Sequence, residues 1–361
     1  MYKKIFTIVN NHLSVFFLAG CLLVSSIIVS ACKPINKQHD YSIFAFGTLI
    51  DISLYDVEQP QADAAFKQLQ QLFDKSHQDW SPWTDGDLAQ LNTHLSTKTA
   101  ATIPSHLLPI IRTSIELSQL SNNYYNPAIG QLINLWQFHK YKDKDIRPPT
   151  ESQIENIVSK NPQMSDLSIN NKNQLITKNS AVSLNFGAFA KGYAISLGMK
   201  RLQDIGIKNA VINAGGDLSV IGQHGDRAWN IAIRHPRTDQ LLASVEVKNN
   251  ESVFTSGDYE RFYHYQSRRY HHILNPRTGY PTDDAQSVTV IHPDAGYADV
   301  AATALFVAGR KNWQLIAKRM NLQLVMLIDA DGNIHLTSAM GKRLKFLNKS
   351  PTSRIITSEE L

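Results

Sequence analysis

Both cysteines of this 361-residue chain, Cys21 and Cys32, fall within its first thirty-two positions. Everything beyond them must fold without a disulfide, without a catalytic thiol and without a cysteine-ligated metal. The remainder therefore needs a conventional core. Hydrophobic residues at 43 % and charged residues at 19 % supply one, which excludes a disordered chain. The length allows one large domain or two coupled ones.

The N-terminus bears on location. Lys3 and Lys4 precede an apolar run from Leu13 to Ala31, which ends in Val29-Ser30-Ala31-Cys32 and turns polar at once with Lys33-Pro34-Ile35-Asn36-Lys37. This pattern resembles a bacterial lipoprotein signal spanning residues 1–31, with Cys32 as the lipidated residue and 32–42 as a linker. Leu18-Ala19-Gly20-Cys21 is a rival cleavage string, but it would leave Leu22 to Ala31 as an apolar tail. An uncleaved membrane helix would give nearly the same location. The expectation is a lipid-anchored protein on the periplasmic face of a bacterial membrane, inner or outer. Removing residues 1–31, which hold two lysines and no acid, lowers the formal charge from +5 to +3. That excess is too small to argue for nucleic acid and suits an anionic small molecule or membrane surface.

Beyond the linker, Ile43–Tyr55 reads as a strand pair or a bulged strand broken at Gly47-Thr48. Ala62, Ala65, Phe66, Leu69, Leu72 and Phe73 recur at helical spacing. A second helix is expected over Ser105–Leu120, capped by Ser105 with Pro109 in its first turn. Lys140–Pro162 is polar, holds three prolines and reads as an insertion or surface loop. Further on, β-rich runs at Ala210–Ile221, Trp229–Ile233, Ser244–Val247, Val253–Ser256 and Ser287–His292 interleave with helices at Lys191–Gln203, Ala298–Ala308 and Asn312–Met320. A hairpin over Leu324–Leu336 turns at Asp331-Gly332. Without regular β-α alternation, the fold class is α+β. The domain is placed at 43–345 and a polar tail at 346–361.

Five stretches are richer in Gly, Asp, Asn, His and Thr than a core requires. Asn185-Phe186-Gly187-Ala188-Phe189-Ala190-Lys191-Gly192-Tyr193 precedes a helix, where free N–H groups and Lys191 can meet a phosphate; it can equally be an ordinary strand-to-helix turn. Asn213-Ala214-Gly215-Gly216-Asp217 interrupts a β run and marks either a close backbone approach or a bulge. Thr255-Ser256-Gly257-Asp258-Tyr259-Glu260-Arg261 offers Asp258 as a base, or as one half of a solvated Asp-Arg pair. In His271-His272-Ile273-Leu274-Asn275-Pro276-Arg277-Thr278-Gly279, neighbouring strand residues point to opposite faces, so at most one histidine faces a site, and a structural histidine fits as well. Asp299 and Thr303, at i and i+4 of a helix, can both reach one hard cation; alternatively Asp299 complements the helix start and Thr303 bonds a backbone carbonyl.

Taken together and in this order, these stretches resemble the ApbE family of FAD:protein FMN transferases over roughly Phe46 to Gly341. Phe46-Gly47-Thr48, Trp80-Ser81-Pro82-Trp83, Asn126-Pro127-Ala128-Ile129-Gly130 and Leu135-Trp136-Gln137-Phe138 add to the likeness. The resemblance implies a fold of mixed sheets and packed helices, T-fold-like, forming one large catalytic unit. It implies Asp299, Thr303 and the Ala188 carbonyl as Mg2+ ligands. It further implies that Phe46, Trp83, Trp136, Gln137, Phe138, Asn185, Lys191 and Leu274 line the FAD site, and that His272 is essential for transfer, with Asp258 nearby. The chain departs from the family pattern at Asn185 and Asn275, where Asp is usual. Asn keeps the shape but loses the charge.

The implied reaction places a threonine hydroxyl of an acceptor protein on the FMN-side phosphorus of FAD, with AMP leaving and His272, then Asp258, as candidate bases. Expected acceptors are FMN-binding domains such as subunits of sodium-pumping quinone reductase (Nqr-type) or Rnf-type complexes. A magnesium-dependent FAD pyrophosphatase, a non-catalytic flavin-binding lipoprotein and a solute-binding lipoprotein remain alternatives.

Overall fold

A computed structural model describes residues 37–140, 146–347 and 353–358. Cys32, expected to carry the lipid, and its rival Cys21 lie outside the described residues. Among those described, no helix is long and apolar enough to cross a membrane. His39–Leu361 form one compact unit.

The chain opens with β1 (Gln38–Ala45) and β2 (Thr48–Tyr55), joined by a two-residue turn at Phe46 and Gly47, both with positive φ. Helix α1 (Gln59–Asp79) follows, and the residues at helical spacing are its buried face: Ala62, Ala65, Phe66, Leu69 and Phe73. Next come α2 (Asp87–Ser96), β3 (Ala101–Thr102), α3 (Leu107–Leu120) and α4 (Gly130–Trp136). His106, one residue later than expected, stands at the α3 cap position, and its side chain makes no capping bond.

Lys140–Pro162 is not all loop. It contains α5 (Glu151–Val158), started by a capping box in which Thr150 and Gln153 satisfy each other's backbone N–H groups. β5 (Gln174–Thr177) pairs with both β3 and β4 (Leu167–Ile169) in a small antiparallel sheet. Helix α6 (Ala190–Asp204) then leads into β6 (Asn209–Ala214) and β7 (Asp217–Ile221). Gly215 and Gly216 are the turn of that hairpin, not a bulge, with φ of 67° and 107°. Only glycine takes both conformations at low cost, and Asn213 Oδ1 closes the turn by accepting the Gly216 N–H at 2.8 Å.

β8 (Trp229–Arg234) and β9 (Leu241–Val247) form a separate antiparallel sheet that β16 (Leu344–Phe346) completes. β10 (Ser252–Gly257), β11 (Phe262–Tyr265), β12 (Arg268–His271) and β13 (Ala285–His292) follow. Helix α7 (Ala295–Arg319) is broken at Gly309, whose φ of 67° and ψ of −177° are not helical. Asp284 packs against Gly309 and accepts the Arg310 N–H at 2.8 Å, starting the second half afresh. β14 (Leu324–Asp329), β15 (Ile334–Leu336), α8 (Ser338–Arg343) and β17 (Ile355–Thr357) are the remaining described elements.

Among the described residues the main sheet has nine strands, in the order β1-β2-β6-β7-β10-β13-β14-β15-β17. Its last pair is parallel, so the segment read as a polar tail contributes an edge strand. Helices α6 and α7 pack on each other, and α7 lies against β10 and β13. That buries Phe254, Val288, Val290, Ala298, Ala302 and Leu305 in one continuous core. The result is mixed α+β, as the sequence implied.

Candidate functional site

The site grows from the contact of α6 with α7. Gly192, in the first turn of α6, lies so close to α7 that an added Cβ would stand 2.4 Å from the Ala295 carbonyl and 2.7 Å from Asp299 Cβ. A glycine is required there for close approach rather than for its dihedral freedom. Its N–H donates to Asp299 Oδ2 at 2.9 Å. In an uninterrupted helix that donor would serve the carbonyl four residues back, Ala188. Ala190 and Tyr193 instead close onto Phe186 and Phe189. Turning Gly192 to Asp299 releases the Ala188 carbonyl from its helical donor.

Asp299 is buried. Removal from water raises its pKa above the usual carboxylate value, while the Lys191 charge and the Gly192 N–H act in the opposite sense. Thr303, one turn along the same face, shares a hydrogen bond with Ser256 of β10 at 3.0 Å. Carboxylate, hydroxyl and carbonyl are hard oxygen donors of the kind a magnesium ion takes, and a cation beside Asp299 would offset the cost of burying its charge.

Lys191 stands over this centre. Its ammonium pairs with Asp217 and lies 5.3 Å above the Phe254 ring. Burial lowers its pKa, opposed by Asp299 and Glu260 and reinforced by Arg261. Asp217 is held in turn, because its Oδ1 accepts the Thr255 N–H at 2.7 Å. The Gly-Gly hairpin thus delivers a carboxylate to Lys191.

His272 lies on the other side of Arg261. The Arg261 carbonyl accepts the His272 N–H at 3.0 Å and faces its Nδ1 at 3.3 Å. A carbonyl only accepts, so the proton belongs on Nδ1 and Nε2 carries the lone pair. Burial, then Arg261, then His271 push the imidazole down to about 3, so it is neutral near pH 7. His271 is buried, with Nε2 against the Thr282 carbonyl. The two histidines have separate environments, as strand alternation requires.

Arg261 also reaches Phe46. Its Nη2 donates to the Phe46 carbonyl at 3.3 Å, while the Phe46 N–H donates to His77 Nδ1 at 3.2 Å. One arginine therefore links the β1–β2 turn to His272. The sequence offered an arginine of this motif only as the solvated partner of Asp258; Arg261 instead joins the turn to His272, and Asp258 pairs with other arginines.

Asp258 is not a free carboxylate. Arg237 holds both carboxylate oxygens, at 2.7 and 2.6 Å, and Arg269 adds a contact at 3.1 Å. A carboxylate bound by two guanidinium groups anchors them; it is poorly placed to receive a proton. Neither arginine was signalled by the sequence, because each partner is brought in by strand pairing.

The aromatic candidates divide. Trp136 is fully buried; its indole N–H donates to the Gly279 carbonyl at 2.8 Å and its ring stacks on Phe138 at 5.7 Å. Phe138 and Leu274 belong to the same buried cluster, with Tyr263 and Tyr270. These residues build a wall. Gln137 ends α4 in the left-handed region and is exposed. Trp83 is 44 % exposed and stacks on His139 at 4.2 Å, next to Phe138 in sequence. Asn185 is buried and its Oδ1 accepts the Gly187 N–H at 2.8 Å, shaping the turn that carries Ala188. Asn275 closes a turn, accepting the Gly279 N–H with its backbone carbonyl.

The mixed sheets bring a buried carboxylate and a hydroxyl of one helix together with a lysine and an arginine. The family is specific. The ApbE family model matches residues 46–327, and the chain belongs to that family. It is 34 % identical to the FAD:protein FMN transferase of Rhodobacter capsulatus over 91 % of this chain, and spans 62 % of that relative's length. Against the FAD:protein FMN transferase of Vibrio cholerae the identity is 27 %, covering 86 % of this chain and 93 % of the relative. The crystal structure of the ApbE protein of Thermotoga maritima superposes with a TM-score of 0.78 at 26 % identity, covering 85 % of this chain and 99 % of that one. The Pseudomonas stutzeri flavinyl transferase ApbE, 24 % identical with a TM-score of 0.74, shares the fold.

Proposed function

We propose that this protein is an FAD:protein FMN transferase that is magnesium-dependent, modifies a threonine hydroxyl on an acceptor protein and releases AMP. The observation that carries the reading is the Gly192–Asp299 hydrogen bond. It ties the loop holding the Ala188 carbonyl to the helix face of Asp299 and Thr303, making three oxygen donors from two elements. A magnesium ion held by these three would supply positive charge against the FAD pyrophosphate.

The remaining work falls to the chain itself. Lys191 and Arg261 add positive charge around the same centre, favouring a dianionic substrate. His272 is held with Nδ1 toward the Arg261 carbonyl, which leaves Nε2 to take the proton of an attacking hydroxyl. A bound pyrophosphate would raise its pKa, because a nearby anion favours the charged imidazole. Asp258 fixes Arg237 and Arg269 and takes no part in proton transfer. Phe46 and Trp83 are the aromatic faces proposed to meet the flavin, with Gln137 at the rim and the cluster of Trp136, Phe138 and Leu274 behind.

The proposed setting is the periplasmic face of a bacterial membrane, reached through a lipid on Cys32. The proposed acceptors are FMN-binding domains of Nqr- or Rnf-type complexes. The test mixes residues 33–361 with FAD, magnesium and such a domain, and looks for flavin fluorescence on the acceptor in a denaturing gel. A band abolished by EDTA and by replacing the acceptor threonine supports the proposal. Release of FMN and AMP without a band would make the protein an FAD pyrophosphatase instead.

A further inference from the structure

We propose that Asp79, Asp87 and His106 form a second cation site, for a zinc-class divalent metal, distinct from the Asp299–Thr303 centre. Asp79 is the last residue of α1, Asp87 the first of α2, and His106 immediately precedes α3. One ligand atom from each lies within 4.8 Å of the others.

Each residue has an ordinary reason to be where it is. Asp87 complements the start of α2. Asp79 accepts from Lys75, one helical turn earlier, at 2.7 Å. The His106 side chain is 33 % exposed and would pair with the two carboxylates when its ring is protonated. Its Nε2 is shielded from solvent and makes no hydrogen bond. Yet Asp87 Oδ2 lies 3.2 Å away and Asp79 Oδ2 3.4 Å away. Two acceptors stand within reach, and both are off the direction in which the ring nitrogen points. A buried polar atom left in this way costs about 1–3 kcal/mol.

Those distances have a simple reading. Ligands at about 2.0–2.1 Å from a tetrahedral zinc ion are separated by about 3.3 Å along each edge of the tetrahedron. The nitrogen–oxygen separations fall on either side of that edge length. An octahedral magnesium ion at about 2.0–2.1 Å would draw neighbouring ligands to about 2.9 Å, and it disfavours imidazole. One imidazole and two carboxylates leave a fourth position for water.

The scaffold is already closed around the site. A Cβ on Gly86 would meet the Gln78 carbonyl at 2.1 Å, so the two ends of the 80–86 loop touch through backbone. Thr84 Oγ1 donates to the same carbonyl at 2.9 Å. Asp79 and Asp87 sit at the mouth of this loop, and His106 arrives from the next segment. Lys75 pairs with Asp79, and its side chain is 71 % exposed, free to swing into water when a metal takes that oxygen. A bound ion would clip together α1, α2 and the start of α3, and with them the loop that carries Trp83.

The test uses the full chain, stripped with a chelator and held in excess magnesium, titrated with zinc against a chromophoric competitor. The wild-type chain should bind one more equivalent than His106→Ala or Asp87→Asn, and zinc should raise its melting temperature but not theirs. Asp299→Asn should keep the extra equivalent. Equal numbers in the wild type and both variants would overturn the site, as would loss of the equivalent in Asp299→Asn. His106→Gln, which keeps a polar group of similar reach, guards against simple misfolding: a cooperative melt that no longer responds to zinc supports the proposal, and an undiminished zinc response refutes it.

Discussion

Gly192 donates its backbone N–H to Asp299 across a helix crossing too tight for a β-carbon on the smaller residue. Packing and chemistry meet at that point, since the same contact positions the buried carboxylate and frees the Ala188 carbonyl.

Gly192→Ala should therefore impair both. Overpacking costs about 1–3 kcal/mol, which exceeds the ~1 kcal/mol that alanine gains over glycine in a helix. Urea unfolding should show a net loss, and FMN transfer should fall further than stability alone explains, with a higher magnesium requirement. Wild-type magnesium dependence in a folded variant would separate the crossing from the site.

Asp258→Ala should behave as the loss of an anchor. It leaves Arg237 and Arg269 without their shared partner. Because Arg237 is 40 % exposed and Arg269 28 %, the cost should be about 2 kcal/mol, below that of a fully buried pair. The pH dependence of transfer should keep its shape in Asp258→Asn at a permissive temperature. Loss of the acidic limb in that variant would restore Asp258 as a base.

His272 links stability to pH with a definite sign. An unfolded imidazole takes its proton near 6.5, whereas folded His272 takes one only near 3. Between these values the unfolded chain binds more protons, so stability falls as pH drops from about 6.5 towards 3. His272→Gln removes this contribution and should flatten the melting-temperature profile across that window, while slowing transfer with little change in FAD affinity. An unaltered slope would place the acid sensitivity elsewhere.

Asn185→Asp keeps the oxygen that accepts the Gly187 N–H and adds a negative charge two residues from Gly187 and three from Ala188. Half-saturating magnesium for transfer should fall, and the metal-free protein should melt earlier because the added charge is buried. The metal titration, followed by flavin fluorescence, reads the first effect; calorimetry without metal reads the second.

Much of this was legible in the sequence because the signals are local. Ala62 to Phe73 announce a buried helix face by spacing alone, and Asp299 and Thr303 share a face for the same reason. Local signals also misled. Gly215-Gly216 inside a long apolar run read as a flaw in one strand, but strand length could not reveal that the run folds back on itself. Prolines in Lys140–Pro162 hid α5, although Thr150 and Gln153 spelled its capping box. What no local pattern carries is partnership across the fold. Arg237 reaches Asp258 over 21 positions and Arg261 reaches Phe46 over 215, and only strand order makes them neighbours. Trp136 looked like a flavin-stacking ring, yet its indole is committed to Gly279, 143 residues away.

The break at Gly309 gives α7 two lives. Asp299 and Thr303 sit in the half walled in by α6, β10 and β13, whereas the half beyond Arg310 begins with its own start signal from Asp284. Two helices joined at a left-handed residue need not open together. Amide protons from Val300 to Val307 should exchange with solvent only when the whole protein unfolds, while those beyond Trp313 exchange through a smaller local opening. Fraying at the surface end would then stop at Gly309 before it disturbed the oxygens of the site.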